Sequence, residues 1–264
     1  MNSLAATVAP AVLEPRRAAM PDFSQSLLAL GASLLTERAS WRLRRKTSAP
    51  AEQARTLRAL LPRLAATAHG RAFGLTPGLD YAGFRARFAP RTYEEFARYI
   101  ERMKLGEADV LWPGRCTCYA VSSGTTAGRT KYLPVTPDLL AHFRSAGLDS
   151  LLFYTARIGH TGVFRGRHLF LGGSTNLTAL PRTADGFQAW SGDLSGITAM
   201  NLPRWAERHL YEPGREIAQL ADWPAKLRAI AQRTSERDIS LLAGIPSWTL
   251  ILAETLRAQH GARA

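Results

Sequence analysis

Apolar residues recur at helical spacing near the start of the chain. From 23 to 46, leucines and a tryptophan return every three or four positions, and residues 51–68 repeat this pattern with four leucines. Such spacing places the apolar side chains on one face of a helix. It predicts two helices, with a kink or break at Pro62 and a stop at Gly70 for the second.

A shorter helix follows, and then the period of the pattern changes. Thr92 can cap a helix that carries Glu94 and Glu95 in its first turn, where the helix dipole favours acidic side chains. This pattern continues to about Met103. From Cys116 onward, short apolar runs alternate with helical patterns, so the chain is predicted to pass from a helical region into a sheet.

Strand-like and helix-like segments alternate through the rest of the chain. Strands are predicted at 116–122, 132–135, 168–171 and, short and buried, at 239–243; helices are predicted at 137–156 behind a Thr136 cap, 204–219, 223–236 and 247–259. Residues 185–203, rich in glycine and serine, are expected to be irregular. The alternation predicts an α/β fold in which a mixed sheet is flanked by helices. No repeat or long linker divides residues 23–264, so we expect one domain behind a disordered segment at 1–22.

Composition changes this picture mainly through charge. The 264 residues are 46% hydrophobic and 21% charged, as in ordinary globular proteins, but the net charge of +13 raises nucleic acid, anionic membranes and phosphate-rich ligands as partners. Thirty of the 34 basic residues are arginines, spread along the chain without a basic run interleaved with aromatics, which argues against nucleic acid. No leader and no apolar run of membrane-spanning length is found, so a cytoplasmic protein without membrane contact is expected. The abundance of alanine and arginine indicates a bacterial chain.

The residues that most often hold metals show no ligand spacing here. Cys116 and Cys118 form a C-x-C pair, which makes neither a disulfide framework nor a zinc site, and they are expected to be small buried residues. The six histidines match no metal motif. No metal held wholly by protein groups is therefore predicted, whereas a metal brought in by a nucleotide stays open.

Residues 122–132, SSGTTAGRTKY, combine hydroxyls, glycines and cations between two strand-like segments. The hydroxyls belong to Ser122, Ser123, Thr125 and Thr126, the turn-forming glycines are Gly124 and Gly128, and the cations are Arg129 and Lys131. Such a turn suits a polyphosphate, because hydroxyls, backbone N–H groups and positive charge can all face it. It is not a Walker A loop, since the glycines are one position too close and arginine follows them instead of lysine. A hairpin with a polar tip is the alternative.

The stretch YAVSSGTTAGRTKYLPVT (119–136) resembles the phosphate-binding motif of adenylate-forming enzymes, S-[ST]-G-[ST]-[ST]-G-x-x-K. Four more segments, in the right order, resemble one branch of these enzymes, the auxin-responsive GH-three family of acyl-acid amido synthetases. They are TLRALLPRLAATAHGRAFGL (56–75), RTYEEFARYIERMKLGEADVLWPG (91–114), SGDLSGITAMNLPRW (191–205) and LLAGIPSWTLILAETL (241–256). The resemblance covers about residues 50 to 260.

This resemblance implies a two-step ligase. ATP and a carboxylic acid would form an acyl-adenylate with release of pyrophosphate, and an amine such as an amino acid would then attack the activated carbonyl. By position, Ser122, Ser123, Gly124, Thr125 and Thr126 would contact the phosphates beside Gly128 and Arg129, with Lys131 as the motif's catalytic lysine and Mg²⁺ carried by the nucleotide. Ala127 separates the second hydroxyl residue from the glycine, so the turn is expected to be one residue longer than in the pattern.

A second ligand-facing turn is predicted where the last strand passes into the last helix. Sheet enzymes of the α/β class tend to bind ligands at such turns, so Ile245, Ser247 and Trp248 are candidates for substrate contact. The alternatives are a helix cap for Ser247 and core packing for Trp248. Residues 190–205 either border the acyl pocket or form a packed surface loop.

Two later motifs of the family, Y-G-x-[ST]-E and Y-R-x-G-D, have no counterpart in the sequence, and neither has its small carboxy-terminal domain. Residues 23–264 are therefore interpreted as the incomplete large domain of an adenylate-forming ligase. We expect it to be inactive alone: a fragment, the product of a disrupted gene, or one half of a split enzyme that works with a complementing carboxy-terminal chain. The alternative is a non-catalytic remnant that binds nucleotide or a partner chain. The sequence does not identify the acid or the amine.

Overall fold

A computed structural model describes residues 23–45, 47–122 and 130–261. Five helices come first: α1 Phe23–Arg44, α2 Ala49–Ala65, α3 Ala68–Ala72, α4 Tyr81–Arg87 and α5 Tyr93–Lys104. The predicted helical amino-terminal region is thereby confirmed. The expectation of disorder at 1–22 lies outside the described residues.

The predicted end of the second helix is wrong. α2 runs through Pro62 without a break and ends at Ala65, and Gly70 lies inside α3. A Cβ atom on Gly70 would stand 1.9 Å from the carbonyl oxygen of Leu64. Glycine is therefore required here by the close approach of two backbones and not by a left-handed turn.

Strands and helices alternate after α5. The strands are β1 Cys118–Ser122, β2 Lys131–Pro134, β3 Arg167–Leu171, β4 Thr178–Ala179, β5 Trp190–Gly192, β6 Tyr211–Glu212 and β7 Ile239–Gly244. The helices are α6 Pro137–Ile158, α7 Leu194–Met200, α8 Arg204–His209, α9 Arg215–Ala218, α10 Trp223–Thr234 and α11 Pro246–His260, with a 3-10 turn at Gly162–Phe164. The predicted Thr136 cap of α6 is confirmed, because its hydroxyl accepts a hydrogen bond from the backbone N–H of Leu139 at 3.2 Å.

The strands form two sheets. The first has the order β2-β1-β5-β4, in which β1 is parallel to β5 and the two outer pairs are antiparallel. The second has the order β6-β3-β7 and is parallel throughout. The prediction of an α/β fold with a mixed sheet among helices is confirmed.

Helices cover both faces of each sheet. Neighbouring residues of β1 point to opposite faces, so that Tyr119 packs with α5 and Ala120 packs with α6 and α7. In the second sheet, the leucines of β3 pack against α10 and α11, while Leu241 of β7 packs toward α1 and the end of α6. α6 contributes Leu140 to the first core and Leu152 to the other, and it thus joins the two sheets.

Three sequence predictions fail in the second half of the chain. Residues 185–203 are not irregular, since they form β5 and α7, and the predicted helix 204–219 is divided into α8, β6 and α9. β5 and β6 are two or three residues long, too short to show a periodic pattern, and each exists because a neighbouring strand pairs with it. β7 is only half-buried, and Leu242 is 44% exposed.

Candidate functional site

Ser122 and Lys131 lie opposite each other at the base of the candidate phosphate loop. Ser122 ends β1, Lys131 begins β2, and the two are partners in the antiparallel register. Directly opposed residues of an antiparallel pair present their side chains on the same face. The other predicted loop residues, Ser123, Gly124, Thr125, Thr126, Gly128 and Arg129, lie outside the described residues.

Helix α5 provides the immediate surroundings of Lys131. The Lys131 ammonium nitrogen is 3.3 Å from a carboxylate oxygen of Glu94 and 5.3 Å from the ring centre of Tyr93. Both charged side chains are exposed, so the ion pair contributes little to stability and is screened by salt. A hydrogen bond from its own backbone N–H, together with Lys131, holds the pKa of Glu94 below its usual value. Lys131 can therefore exchange this carboxylate for another anion at small cost.

Tyr93 fixes the start of α5 against β2. Its hydroxyl accepts a hydrogen bond from the backbone N–H of Tyr132 at 2.9 Å, next to Lys131. The helix start is itself ordered by a capping box, in which the Thr92 backbone N–H donates to the Glu95 carboxylate at 2.8 Å. Sequence reasoning recognised this cap but missed Tyr93 and Glu94 as neighbours of Lys131, because these contacts join residues that are far apart in the sequence.

The carboxyl ends of the parallel strands meet at one edge of the molecule. Because β1 and β5 run parallel with Ala120 opposite Gly192, the segment that follows β5 lies beside the end of β1. In that segment the Asp193 carboxylate accepts a hydrogen bond from the backbone N–H of Ser174, which follows β3, at 3.0 Å. This contact connects the edge of the first sheet with the edge of the second.

A buried lysine lies beneath this junction. Lys226 donates hydrogen bonds to the backbone carbonyls of Ala218, at 2.8 Å, and Gly173, at 3.4 Å. Burial lowers the pKa of Lys226, and the nearby Asp193 opposes this effect. A Cβ atom at position 173 would stand 2.3 Å from the Asp193 carboxylate, so a larger residue there would displace the Asp193 side chain. Sequence reasoning missed Asp193 and Lys226, although Lys226 is one of only four lysines in an arginine-rich chain.

The second predicted turn lies at the same edge, where β7 ends beside β3 with Gly244 opposite Leu171. Ile245 is the N-cap residue of α11 and is 50% exposed, so Ser247 is not the cap. Trp248 packs on Trp223 with ring centres 4.6 Å apart and borders the core of the second sheet. Substrate contact by Ile245, Ser247 and Trp248 stays a prediction.

Three further properties of the described residues bear on function: metal-binding groups, thiols and membrane-spanning helices. Within residues 23–45, 47–122 and 130–261, no group of three or more His, Cys, Asp or Glu side chains is arranged to hold a metal ion. Both cysteines are free thiols; burial raises the pKa of Cys116, while Cys118 is only half-buried. None of the helices in the same ranges has the length and apolar character that a membrane span needs.

Comparison with known protein sequences identifies relatives over part of the chain. The jasmonoyl–L-amino acid synthetase GH3.3 of Oryza sativa subsp. japonica is 37% identical over 89 residues, which are 33% of this chain and 19% of that protein. The indole-3-acetic acid-amido synthetase GH3.8 of Oryza sativa subsp. indica is 32% identical over 125 residues, 47% of this chain and 20% of that protein.

Solved structures show the same fold over nearly the whole chain. The GH3.15 acyl acid amido synthetase superposes with a TM-score of 0.60 at 22% identity, and AtGH3.15 acyl acid amido synthetase in complex with 2,4-DB with a TM-score of 0.62 at 23% identity. These matches cover 93% and 91% of this chain but only 40% of either solved chain. Residues 41–263 match the GH3 family N-terminal domain. The chain spans less than half the length of the relatives it matches. It therefore belongs, as a part, to the GH3 family of acyl acid amido synthetases.

Proposed function

We propose that this chain supplies the ATP-binding part of an acyl acid amido synthetase, which activates a carboxylic acid with ATP and transfers the acyl group to an amine such as an amino acid. The observation that carries the proposal is the pairing of Ser122 with Lys131 at the base of a loop rich in hydroxyls and glycine, in a member of the GH3 family. One rice relative is named a jasmonoyl–L-amino acid synthetase and the other an indole-3-acetic acid-amido synthetase, which supports these substrate classes.

Lys131 and Ser122 fit the phosphates of ATP. Adenylation releases pyrophosphate, so the enzyme must hold the terminal phosphates in place and compensate their charge. Lys131 brings a cation whose present partner is the exposed Glu94, and Ser122 brings a hydroxyl on the same face of the hairpin. Mg²⁺ would be carried by the nucleotide, with the phosphate oxygens as ligands of the kind it prefers.

The turn after β7 is the proposed border of the acid site. It lies at the carboxyl edge of the parallel strands, where α/β enzymes bind ligands. Ile245 is half exposed and provides an apolar surface, and Ser247 is exposed in the first turn of α11. Trp248, held against Trp223, would support this turn from below.

The complete reaction would need a further segment that packs beside β7. Within the described residues β7 pairs only with β3, so its outer edge is open. Leu242 of β7, Ile245 directly after it, and Leu250 and Ile251 of α11 are each at least 41% exposed. Open strand edges with exposed apolar residues are typical surfaces for strand addition. We therefore propose that a carboxy-terminal segment, in this polypeptide or in a partner chain, covers it.

Binding of ATP to the Lys131→Ala variant tests the proposal, with Lys104→Ala as a matched control. Both lysines pair with a glutamate of α5 and lie over a tyrosine ring, but only Lys131 is at the loop. Isothermal titration calorimetry should show ATP binding about tenfold or more weaker for Lys131→Ala, since a hydrogen bond to a charged group is lost. Lys104→Ala should bind as the parent chain does, and equal affinity of all three proteins would contradict the proposal.

Pyrophosphate exchange separates an enzyme from a nucleotide-binding remnant. We expect the chain alone to show no ATP–pyrophosphate exchange with a panel of carboxylic acids. Exchange should appear when the carboxy-terminal part of a GH3 relative is added. Robust exchange by the chain alone would contradict its incompleteness, and a chain that binds ATP but never supports exchange would favour the remnant.

A further inference from the structure

A cavity of about 580 Å³ opens at the amino end of the parallel sheet, away from the site described above. Its walls include Arg167, the first residue of β3, and Tyr211, the first residue of β6. The candidate phosphate loop and the turn after β7 lie instead where strands end. The length of β3 therefore separates the cavity from the proposed acid site.

Two of the arginines in this cavity are held by a buried carboxylate. Glu212 is fully buried and accepts hydrogen bonds from Arg167, at 2.9 Å, and from Arg233. Arg167 also donates to the backbone carbonyls of Arg208 and, at 3.1 Å, Tyr211. These contacts fix the orientation of the guanidinium groups, so that the side chains lose little conformational entropy when a ligand binds.

Two other arginines have no partner of their own within the described residues. Arg204 and Arg208 lie one turn apart on α8, both exposed at the cavity, and neither side chain makes a hydrogen bond or ion pair with a described residue. Glu207 between them is paired with Arg215. The cavity wall carries four arginines and Glu207. With their ion-pair partners Glu212 and Arg215 included, five arginines face two glutamates, which leaves a net charge of +3.

Tyr211 also lines the cavity and is 5% exposed. Burial, with Glu207 as a smaller contributor, raises the pKa of Tyr211 to about 12, so this residue adds no negative charge to the cavity at neutral pH.

We propose that this cavity is a binding site for a small dianion, held by Arg204 and Arg208 and backed by Arg167 and Arg233. Guanidinium groups bind the oxygens of phosphate and carboxylate in a two-pronged geometry, and the volume falls within the range of small-molecule sites. The ligand class is thus a phosphate monoester or a dicarboxylate, which share two negative charges on terminal oxygens. The site is independent of the proposed ATP site.

Calorimetric titration of the chain with inorganic phosphate and, separately, with succinate at constant ionic strength tests this site. The test variant is Arg204→Gln/Arg208→Gln, and the matched control is Arg58→Gln/Arg85→Gln, which replaces two exposed arginines outside the cavity. At least one dianion should bind the parent chain, and the test variant should bind it about 100-fold more weakly, since two charged hydrogen-bond donors are lost. Tighter binding of phosphate would identify the ligand as a phosphate monoester, and tighter binding of succinate would identify it as a dicarboxylate.

The control variant and Lys131→Ala should bind the dianion as the parent chain does. Absence of binding by both probes, an equal loss in the control variant, or a loss confined to Lys131→Ala would each overturn the proposal. Circular dichroism checks folding of each variant. If the double variant does not fold, the single variants Arg204→Gln and Arg208→Gln decide the question, each with an expected loss of about tenfold.

Discussion

Glu212 illustrates how a single buried charge organises part of this fold. It lies on β6 with no exposed surface and is compensated by Arg167 of β3 and Arg233 of α10. Removing a carboxylate from water is costly, and the attraction offsets that cost only while both guanidinium groups are in place. The residue therefore ties a two-residue strand to the centre of the second sheet and to a helix.

Replacing Glu212 with glutamine should lower the free energy of unfolding by about 3 kcal/mol, because two partly buried arginines lose the charge of their common partner. Urea unfolding followed by circular dichroism measures this change. Glu216→Gln, at an exposed position of α9, is the control and should alter the value by no more than about 0.5 kcal/mol. Equal stability of the two variants would show that Glu212 contributes no more than a surface charge.

His168 should make the stability of the chain dependent on pH. It is 3% exposed, donates from Nε2 to the carbonyl of Val163 at 2.8 Å, and has a pKa lowered by burial. Below about pH 6.5 the unfolded chain binds a proton that folded His168 resists, so the free energy of unfolding falls by up to about 1.4 kcal/mol per pH unit. His69 adds to this dependence, since burial lowers its pKa as well.

Urea unfolding between about pH 7.5 and 5.5 tests this expectation. The decrease in stability over this interval should be smaller for His168→Gln than for the parent chain, because one of the resisting groups is absent. His142→Gln, at an exposed position, should leave the decrease unchanged. The same slope in all three proteins would exclude His168 as a source of the pH dependence.

At the scale of elements, long helices with polar caps follow the sequence closely, whereas short elements do not. α5 and α6 begin where Thr92 and Thr136 predict, because a cap is a local interaction within one turn. β5 and β6 are absent from the sequence prediction, because a strand of two or three residues is stabilised by its neighbour and not by its own pattern. The helix stop was wrongly predicted at Gly70 for a similar reason: this glycine is needed for its close contact with the Leu64 backbone, which the local sequence does not reveal.

Alanine substitutions at two helical glycines should have opposite effects. Gly70→Ala should lower the free energy of unfolding by about 2 kcal/mol, because the added methyl group overlaps the Leu64 carbonyl and the backbones must move apart. Gly31→Ala, in α1 with open space around it, should raise the value by about 0.5 to 1 kcal/mol. Chemical denaturation of both variants checks the signs, and a stabilising Gly70→Ala would contradict the close packing of α2 on α3.

At the scale of the whole molecule, α6 joins two sheets that are otherwise covered by separate helices. Every parallel strand of both sheets ends at one edge, which also carries the candidate loop, Asp193 and the turn after β7. β7 is an edge strand of the second sheet, and no described strand pairs with its outer side.

This open edge should make the chain associate with itself at high concentration. Leu242 and Leu250 are 44% and 66% exposed, and exposed apolar side chains beside an open strand favour contact between copies. Leu242→Lys/Leu250→Lys should therefore shift the chain toward monomers in sedimentation velocity experiments. Leu105→Lys, at an exposed leucine outside β7 and α11, should have no such effect. A parent chain that stays monomeric at all concentrations would contradict the expectation.

The sequence by itself determined the family, the α/β class, the capped helices and the location of the candidate loop, because each depends on residues close together in the chain. It also placed Ser122 and Lys131 at the two ends of that loop. Only the tertiary structure decided that Glu94 and Tyr93 border Lys131, that Asp193 and Lys226 lie at the junction of the two sheets, and that arginines from three elements share one cavity. These neighbours are distant in sequence and become adjacent only when strands pair and helices pack on them, so no local pattern records them.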